Sequence, residues 1–198
     1  MIKIKLDEVL CECGYEGRDI SNRNKLHQIY LQYIEPLLIK REKNEKVIFI
    51  DLAGIKSMTV STVIGLFLKD LYSFCLHREN LVVLLGNIDK QQKEELLLEF
   101  WAATTIAKKI QKEGEIVNTC LLVQDENSIS VVGFKDNEAQ SELFYWLCKN
   151  KIKITSAYLA EKEGISLASA SNRLIRLYEK RIIYRDEISA NQFEYYAI

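Results

Sequence analysis

The sequence predicts an α/β domain over residues 1–136 and a small α+β domain over residues 137–198. Three observations carry this prediction. In the first part, apolar runs of strand length alternate with amphipathic helical patterns, as α/β folds require. In the second part, two helical patterns meet at a glycine and are followed by two strand patterns. The polar residues 135–137 separate the two parts and mark the predicted boundary.

Composition and charge are those of an ordinary globular chain. Of 198 residues, 48% are hydrophobic and 28% are charged, and the formal net charge is −1 at pH 7. Residues 138–198 carry 9 Lys/Arg and 8 Asp/Glu, a net of +1, whereas residues 1–137 carry 18 and 20, a net of −2. Nucleic-acid affinity depends heavily on neutralised phosphates. Any such function must therefore come from cations that cluster locally.

Several functional classes find no support in the sequence. Lys3, Lys5 and Asp7 interrupt the apolar N-terminus, and no run approaches the roughly 18 apolar residues of a membrane span. The five cysteines, at positions 11, 13, 75, 120 and 148, are expected to be reduced thiols in a cytoplasmic protein. His27 and His77 are the two histidines, and neither falls into a zinc spacing or a catalytic set. The sequence therefore predicts no cofactor, no metal and no enzymatic activity.

Strand and helix patterns alternate through the first domain. Predicted strands cover residues 1–6, 47–52, 81–85, 115–123 and 128–134, and predicted helices cover residues 21–38, 60–75, 90–100 and 104–112. Residues 11–20 are predicted to form a loop, and residues 125–128 a hairpin turn. The strand at 47–52 is almost continuously apolar, which indicates coverage on both faces. Pro36 predicts a kink or break in the first helix, because it removes a hydrogen bond and clashes with the preceding turn.

The second domain contains two helical patterns that meet at Gly164. In the first, residues 156–163, an apolar group around Leu159 includes Tyr158 and Ala160. Gly164 can end that helix in the left-handed conformation, and Ser166 is a good N-cap for the next. The helix at 167–180 is expected to bury one stripe, made of Leu167, Ala170, Leu174, Leu177 and Tyr178. Strand patterns at 181–185 and 193–198 then flank a polar turn at 186–192.

The opposite face of the second helix is polar and cationic. Its members, with one residue of the following strand, are Ser169, Asn172, Arg173, Arg176, Lys180 and Arg185. The order helix, tight turn, helix and β-hairpin resembles the winged helix-turn-helix family over about residues 138–198. The resemblance implies binding to double-stranded DNA. We expect Asn172 and Arg173 to reach base edges and Arg176, Lys180 and Arg185 to contact phosphates.

A hydroxyl-rich loop precedes the helix at residues 60–75. Ser57, Thr59, Ser61 and Thr62 crowd the start of that helix. The free amides and the dipole at a helix start favour an anion, such as a phosphoryl group or a carboxylate of a partner. The alternative is that one hydroxyl caps the helix and that the others are solvated.

The run VIFIDLAGIKSMTVSTVIGLFL resembles the core of the STAS domain, the fold of anti-sigma-factor antagonists, and the resemblance covers about residues 1–100. Asp51 and Met58 fit the family frame, and Ser61 falls at or next to the serine that partner kinases phosphorylate in that family. Thr59 stands where the family has Asp, and Thr62 where it has Gly. The resemblance implies a loop, residues 57–62, that binds a partner or is phosphorylated. For Asp51, a structural role as a strand-end carboxylate bonded to loop amides is expected rather than a role as a catalytic acid.

Together these patterns predict a cytoplasmic bacterial transcriptional regulator, a homodimer, whose first domain receives a signal or a protein partner and whose second domain binds DNA. The alternative is a partner-switching protein in which both domains bind proteins. A continuous positive surface around Arg173, Arg176, Lys180 and Arg185 would favour DNA. Neutralisation of that surface by acidic neighbours, or an exposed apolar face, would favour a protein partner.

Overall fold

The computed structural model describes residues 1–15, 19–42, 44–78, 80–126, 128–134 and 138–198. The chain divides into two compact units, Met1–Gly133 and Phe134–Ile198. The predicted boundary at residues 135–137 lies outside the described residues. Helices and a mixed sheet make up the chain, so the predicted α/β class is confirmed. No helix within the described ranges is long and apolar enough to cross a lipid bilayer.

The unit Met1–Gly133 is built on a five-stranded mixed sheet. Its strands lie in the order β1 (Ile2–Lys5), β3 (Val47–Asp51), β5 (Val82–Gly86), β6 (Leu121–Asp125) and β7 (Ser128–Val132). Neighbours from β1 to β6 are parallel, and β7 returns antiparallel to β6 with Asp125 paired to Ser128. Strand β3 lies between two parallel neighbours, with Ile48 and Ile50 on one face and Phe49 on the other all buried. The prediction from its continuous apolar run is therefore confirmed.

A short parallel pair and a short helix occupy the region that the sequence presents as a loop. Strand β2 (Asp19–Ile20) pairs with β4 (Ser57–Met58). Helix α1 (Leu6–Glu12) follows β1 directly and buries Leu6, Val9 and Leu10. The predicted loop at residues 11–20 was wrong at both ends, because Cys11 and Glu12 belong to α1 and Asp19–Ile20 is strand β2. Leu6 fits both the strand alternation and the helical stripe, which hid the change of period at this residue.

The first long helix passes through Pro36 without a gap. It consists of α2 (Arg23–Ile29), a π-helical segment (Tyr30–Ile34) and α3 (Glu35–Ile39). Its start is capped by Asn22, whose Oδ1 accepts a bond of 3.0 Å from the Lys25 amide. The predicted disturbance before Pro36 takes the form of the wider π-helical turn. Such a turn accommodates a residue that has no amide proton and clashes with a normal α-helical turn.

Two further helical runs cover the sheet. The first consists of α4 (Val60–Val63), a π-helical segment (Ile64–Asp70) and α5 (Leu71–Leu76). The second is a single helix, α6 (Lys93–Lys112), where the sequence analysis expected two. Residues 101–103 contain neither Gly nor Pro, and Ala103 and Thr104 are buried, so nothing ends the helix there. Residues 115–120 form no strand, and β6 begins at Leu121.

The unit Phe134–Ile198 combines three helices with a three-stranded antiparallel sheet. Its elements are α7 (Glu138–Asn150), β8 (Ile154–Thr155), α8 (Ser156–Glu163), α9 (Leu167–Glu179), β9 (Tyr184–Ser189) and β10 (Gln192–Tyr196), with the sheet order β8-β10-β9. The Tyr158 amide donates to Thr155 Oγ1 at the start of α8. Gly164 ends α8 with φ +63°, and Ser166 Oγ caps α9 by accepting a bond of 3.1 Å from the Ser169 amide. The predicted roles of Gly164 and Ser166 are confirmed.

Three details of this unit differ from the expectation. Tyr158 is exposed rather than packed beside Leu159, and Leu167 is 59% exposed rather than part of the buried stripe. Leu167 is the first residue of α9, where the helix has not yet reached the core. The first strand of the hairpin is also shifted, because β9 begins at Tyr184 rather than at residue 181 and includes residues 186–189, and the chain turns at Asn191, which has φ +63°.

Candidate functional sites

The outer face of α9 carries part of the predicted DNA-binding set. Ala170, Leu174 and Leu177 on the opposite face are fully buried, which fixes the rotation of the helix. Asn172 and Arg176 lie one turn apart on the exposed face. The Arg176 side chain makes no hydrogen bond or ion pair to any residue in the described part of the chain. These two side chains are therefore available to an external ligand.

Arg173 is held inside the unit by an acidic neighbour. Its Nη1 atom lies 2.5 Å from Oε2 of Glu163, the last residue of α8. The side chains of Arg173 and Glu163 are 31% and 26% exposed. The pair joins the end of α8 to the second turn of α9 and neutralises the charge of Arg173. A base contact by Arg173 would first require this ion pair to open.

Arg185 packs on aromatic rings of the same unit. Its guanidinium carbon lies 4.2 Å from the ring centre of Tyr178 and 4.3 Å from that of Phe193. Such cation–π contacts hold the side chain close to the sheet. Nearby on β9, Asp186 accepts from Lys153 Nζ at 2.7 Å and from the Tyr196 hydroxyl at 3.1 Å. The positive surface is thus smaller than the sequence suggests: Arg176 is its exposed member on α9, and Lys180 is half-buried at the C-cap of that helix.

An apolar groove adjoins the cationic face. A cavity of about 500 Å³ lies between the start of α8, one side of α9 and the β9–β10 hairpin. Leu167 and Ile188, which are 59% and 50% exposed, both line it, together with Ile175 and Phe193. Sequence reasoning missed this groove, because it placed Leu167 in the core and Ile188 in a polar turn. The spacing of Leu167, Ser171 and Ile175, four residues apart on one side of α9, was the available signal.

The segment predicted as a loop, residues 57–62, consists of strand β4, Thr59 and the start of α4, and it is called the 57–62 loop below. Two of its hydroxyls hold its framework. Ser57 Oγ donates to Asp19 Oδ1 at 2.7 Å, across the paired strands β2 and β4. The Thr62 hydroxyl is fully buried and lies 3.0 Å from the Ile20 carbonyl oxygen and 2.7 Å from that of Thr59. Thr62 is therefore inaccessible to a partner or a kinase, and its role is to fasten the loop to β2.

The other two hydroxyls of this loop are exposed. Thr59 occupies the N-cap position of α4 in an extended conformation, but its side chain accepts no capping bond. Its Oγ1 atom instead lies 3.1 Å from Ser61 Oγ. The first amides of a helix have no intrahelical acceptor, so this end favours an acceptor from outside. Thr59 and Ser61 are therefore the hydroxyls that a partner can reach.

Asp51, at the end of β3, is a buried carboxylate with three donors. It accepts from Lys3 Nζ at 2.8 Å, Asn87 Nδ2 at 2.9 Å and the Ala53 amide at 3.0 Å. Burial alone would raise the pKa of Asp51, but these hydrogen bonds outweigh burial and hold the pKa below its usual value. The donors satisfy the carboxylate and fix the start of the chain segment that leads to the 57–62 loop. Asp51 thus has a structural role.

Neither a metal-binding cluster nor a known relative identifies the function of these candidate sites. Among the residues that the structure describes, no group of three or more His, Cys, Asp or Glu side chains is placed to hold a metal ion. Comparison of the chain with known protein families, with curated proteins and with solved structures found no match.

Proposed function

We propose that the chain is a bacterial transcriptional regulator in which Phe134–Ile198 is a winged helix-turn-helix that binds double-stranded DNA. Met1–Gly133 is a STAS-like domain that receives a protein partner. The observation that carries the proposal is the order of capped elements: α8, a left-handed Gly164, α9 with a buried inner stripe, and a hairpin that pairs with β8. This order is that of winged helices, in which the second helix enters the major groove.

The roles on DNA follow from which side chains are accessible. Asn172 on the outer face of α9 suits a bidentate contact to an adenine edge. Arg176 and Lys180 neutralise phosphates, and Ser169 adds a short hydroxyl at the start of the same face. Arg185 positions β9 through its aromatic contacts.

The test is a salt series with the intact chain. Fluorescence anisotropy of labelled duplexes about three helical turns long should show binding that weakens from about 50 mM to about 200 mM salt. Arg176→Ala should flatten the salt slope by about one unit on every sequence. Lys149→Ala, which removes an exposed cation from α7, is the matched control and should leave the slope unchanged. Absence of duplex binding by the parent chain at low salt would refute the proposal.

A second candidate function is partner switching without DNA. The apolar groove beside α9 and the pairing of Arg173 with Glu163 favour it, because protein interfaces are apolar at their centre. On this alternative the groove itself joins two copies of the chain. Light scattering would then show a dimer that Ile188→Ser dissociates, and the parent would bind no duplex.

The receiving surface of the STAS-like domain is the exposed part of the 57–62 loop. Ser57 and Thr62 are held by Asp19 and Ile20, so the rigid framework presents Thr59 and Ser61. Ser61 is the hydroxyl for modification or partner contact, and its position at the start of α4 favours added negative charge.

A further inference from the structure

A larger cavity lies in Met1–Gly133, away from the 57–62 loop. Its volume is about 680 Å³, within the range of small-molecule sites. Its walls include Asn87, which directly follows β5, and Val123 to Asp125 at the end of the parallel strand β6. Open α/β sheets commonly bind ligands outside the carboxyl ends of their parallel strands. The cavity therefore occupies a position suited to a small ligand.

The cavity combines apolar walls with two ion pairs. Ile88 and Leu97 are half-buried, and Val123 is buried. Lys90 Nζ lies 2.6 Å from Glu126 Oε1, and Lys93, the first residue of α6, pairs with Asp125. Each pair joins the α6 side of the cavity to the end of β6 or the turn that follows it. All four charged residues line the cavity.

The ion pairs can exchange partners at little cost. The side chains of Lys90 and Glu126 are 85% and 68% exposed, and such exposed pairs stabilise a fold only slightly. The hydrogen bond from Lys93 lowers the pKa of Asp125, so this carboxylate stays ionised at neutral pH. A ligand with only a negative charge would be repelled by the two carboxylates, and a ligand with only a positive charge would be repelled by the two lysines. A molecule with both charges can satisfy every group.

We propose that this cavity binds a small zwitterion with an apolar body, the chemistry of a free apolar amino acid or a short apolar peptide. The ligand carboxylate contacts Lys90 and Lys93, and its ammonium contacts Asp125 and Glu126. The apolar body packs on Ile88, Leu97 and Val123. This site is independent of DNA binding by the other unit, so each proposal can fail without the other.

Calorimetric titration of the intact chain tests the ligand class. The probes are L-leucine and Leu-Leu, each compared with its N-acetylated and its C-amidated form at concentrations up to about 10 mM. We expect at least one of the two zwitterions to bind and each capped form to bind at least about tenfold more weakly, because each cap removes one charged contact. Binding of Leu-Leu but not leucine, or the reverse, assigns the source. No binding by either zwitterion, or equal binding by a capped form, overturns the proposal.

Variants of the chain test the location. Lys93→Ala and Asp125→Asn should each weaken binding of the zwitterion at least about tenfold. Lys69→Ala removes an ion pair with Glu115, which is distant in sequence and lies outside the cavity. This variant should bind the zwitterion like the parent. Lys90→Ala and Glu126→Gln, at more exposed positions, repeat the test if the first pair melts early. Parent-like binding by these cavity variants would also overturn the proposal.

Discussion

Glu163→Gln should strengthen DNA binding by releasing Arg173. In the structure, Glu163 Oε2 lies 2.5 Å from Arg173 Nη1, and both side chains are partly exposed. Arg173 shares the outer side of α9 with Arg176, but it enters a DNA complex only if this ion pair opens. Glutamine keeps the shape of the side chain and removes the charge that holds Arg173.

The size of the effect on DNA affinity follows from the free energy of the ion pair between Glu163 and Arg173. A partly exposed ion pair stabilises by about 0.2–1 kcal/mol, so releasing it contributes up to about fivefold in affinity. If the released Arg173 also neutralises a phosphate rather than only reading a base edge, the salt slope steepens by about 0.9. We therefore expect Glu163→Gln to bind DNA about threefold to tenfold more tightly near 0.1 M salt. The free energy of unfolding should fall by no more than about 1 kcal/mol.

The assay is the anisotropy salt series with two comparison variants. Glu142→Gln makes the same charge change at an exposed position of α7 and should leave affinity nearly unchanged. The double variant Glu163→Gln/Arg173→Ala should lose the gain, which isolates the pairwise effect. An equal gain in Glu142→Gln would mean that net charge alone acts. An unchanged affinity together with an unchanged slope in Glu163→Gln would show that Arg173 does not reach DNA.

Three further outcomes test the α/β unit. Thr62→Val should lower the free energy of unfolding by about 0.5–1.5 kcal/mol, because the hydroxyl bond to the Ile20 carbonyl is lost while that carbonyl keeps the Thr59 amide as a donor; a urea curve that matches the parent would contradict this. The pKa of Asp51 is lower in the fold than in the unfolded chain. Its contribution to the free energy of unfolding is therefore complete above the unfolded pKa of about 3.9 and is lost as the pH falls through the folded pKa. Thermal unfolding of Asp51→Asn measured across the acid pH range should lack this pH dependence of stability. If the same pH dependence persists in the variant, it comes from other carboxylates. Ser61→Asp should change partner or DNA binding relative to Ser61→Ala, with unfolding free energies within about 1 kcal/mol of the parent; identical binding by both variants would assign the loop a structural role only.

Local signals predicted most of the elements around α9. The left-handed Gly164 and the N-cap Ser166 act within a few residues of the helix ends, so the bounds of α8 and α9 follow from the sequence to within a residue. The hairpin was less predictable. Three of the four residues 186–189 are polar and predicted a turn, but antiparallel pairing with β10 keeps the segment in a strand. Strand formation there depends on a partner strand and not on local composition.

The accessibility of the site residues depends on contacts between distant parts of the chain. Ser57 and Thr59 look alike in the sequence, yet Asp19, 38 residues away, engages only Ser57. Thr62 and Ser61 are adjacent, yet only Thr62 reaches the Ile20 carbonyl. Arg173 and Arg176 have the same chemistry, and Glu163 distinguishes them. Sequence patterns placed these residues in one region, but only the folded chain shows which of them a ligand can reach.

The small number of outward cations bears on the predicted homodimer. If Arg176 and Lys180 each neutralise one phosphate, one unit gives a salt slope of about −1.8, and affinity from so few phosphate contacts is weak. A homodimer doubles the contacts and gives about −3.6, with two half-sites about one helical turn apart. We therefore expect light scattering at tens of micromolar to show a dimer and the salt slope to approach the doubled value. A monomer with the smaller slope would mean that one winged helix acts alone, and specificity would then have to come from Asn172 and its neighbours at base edges.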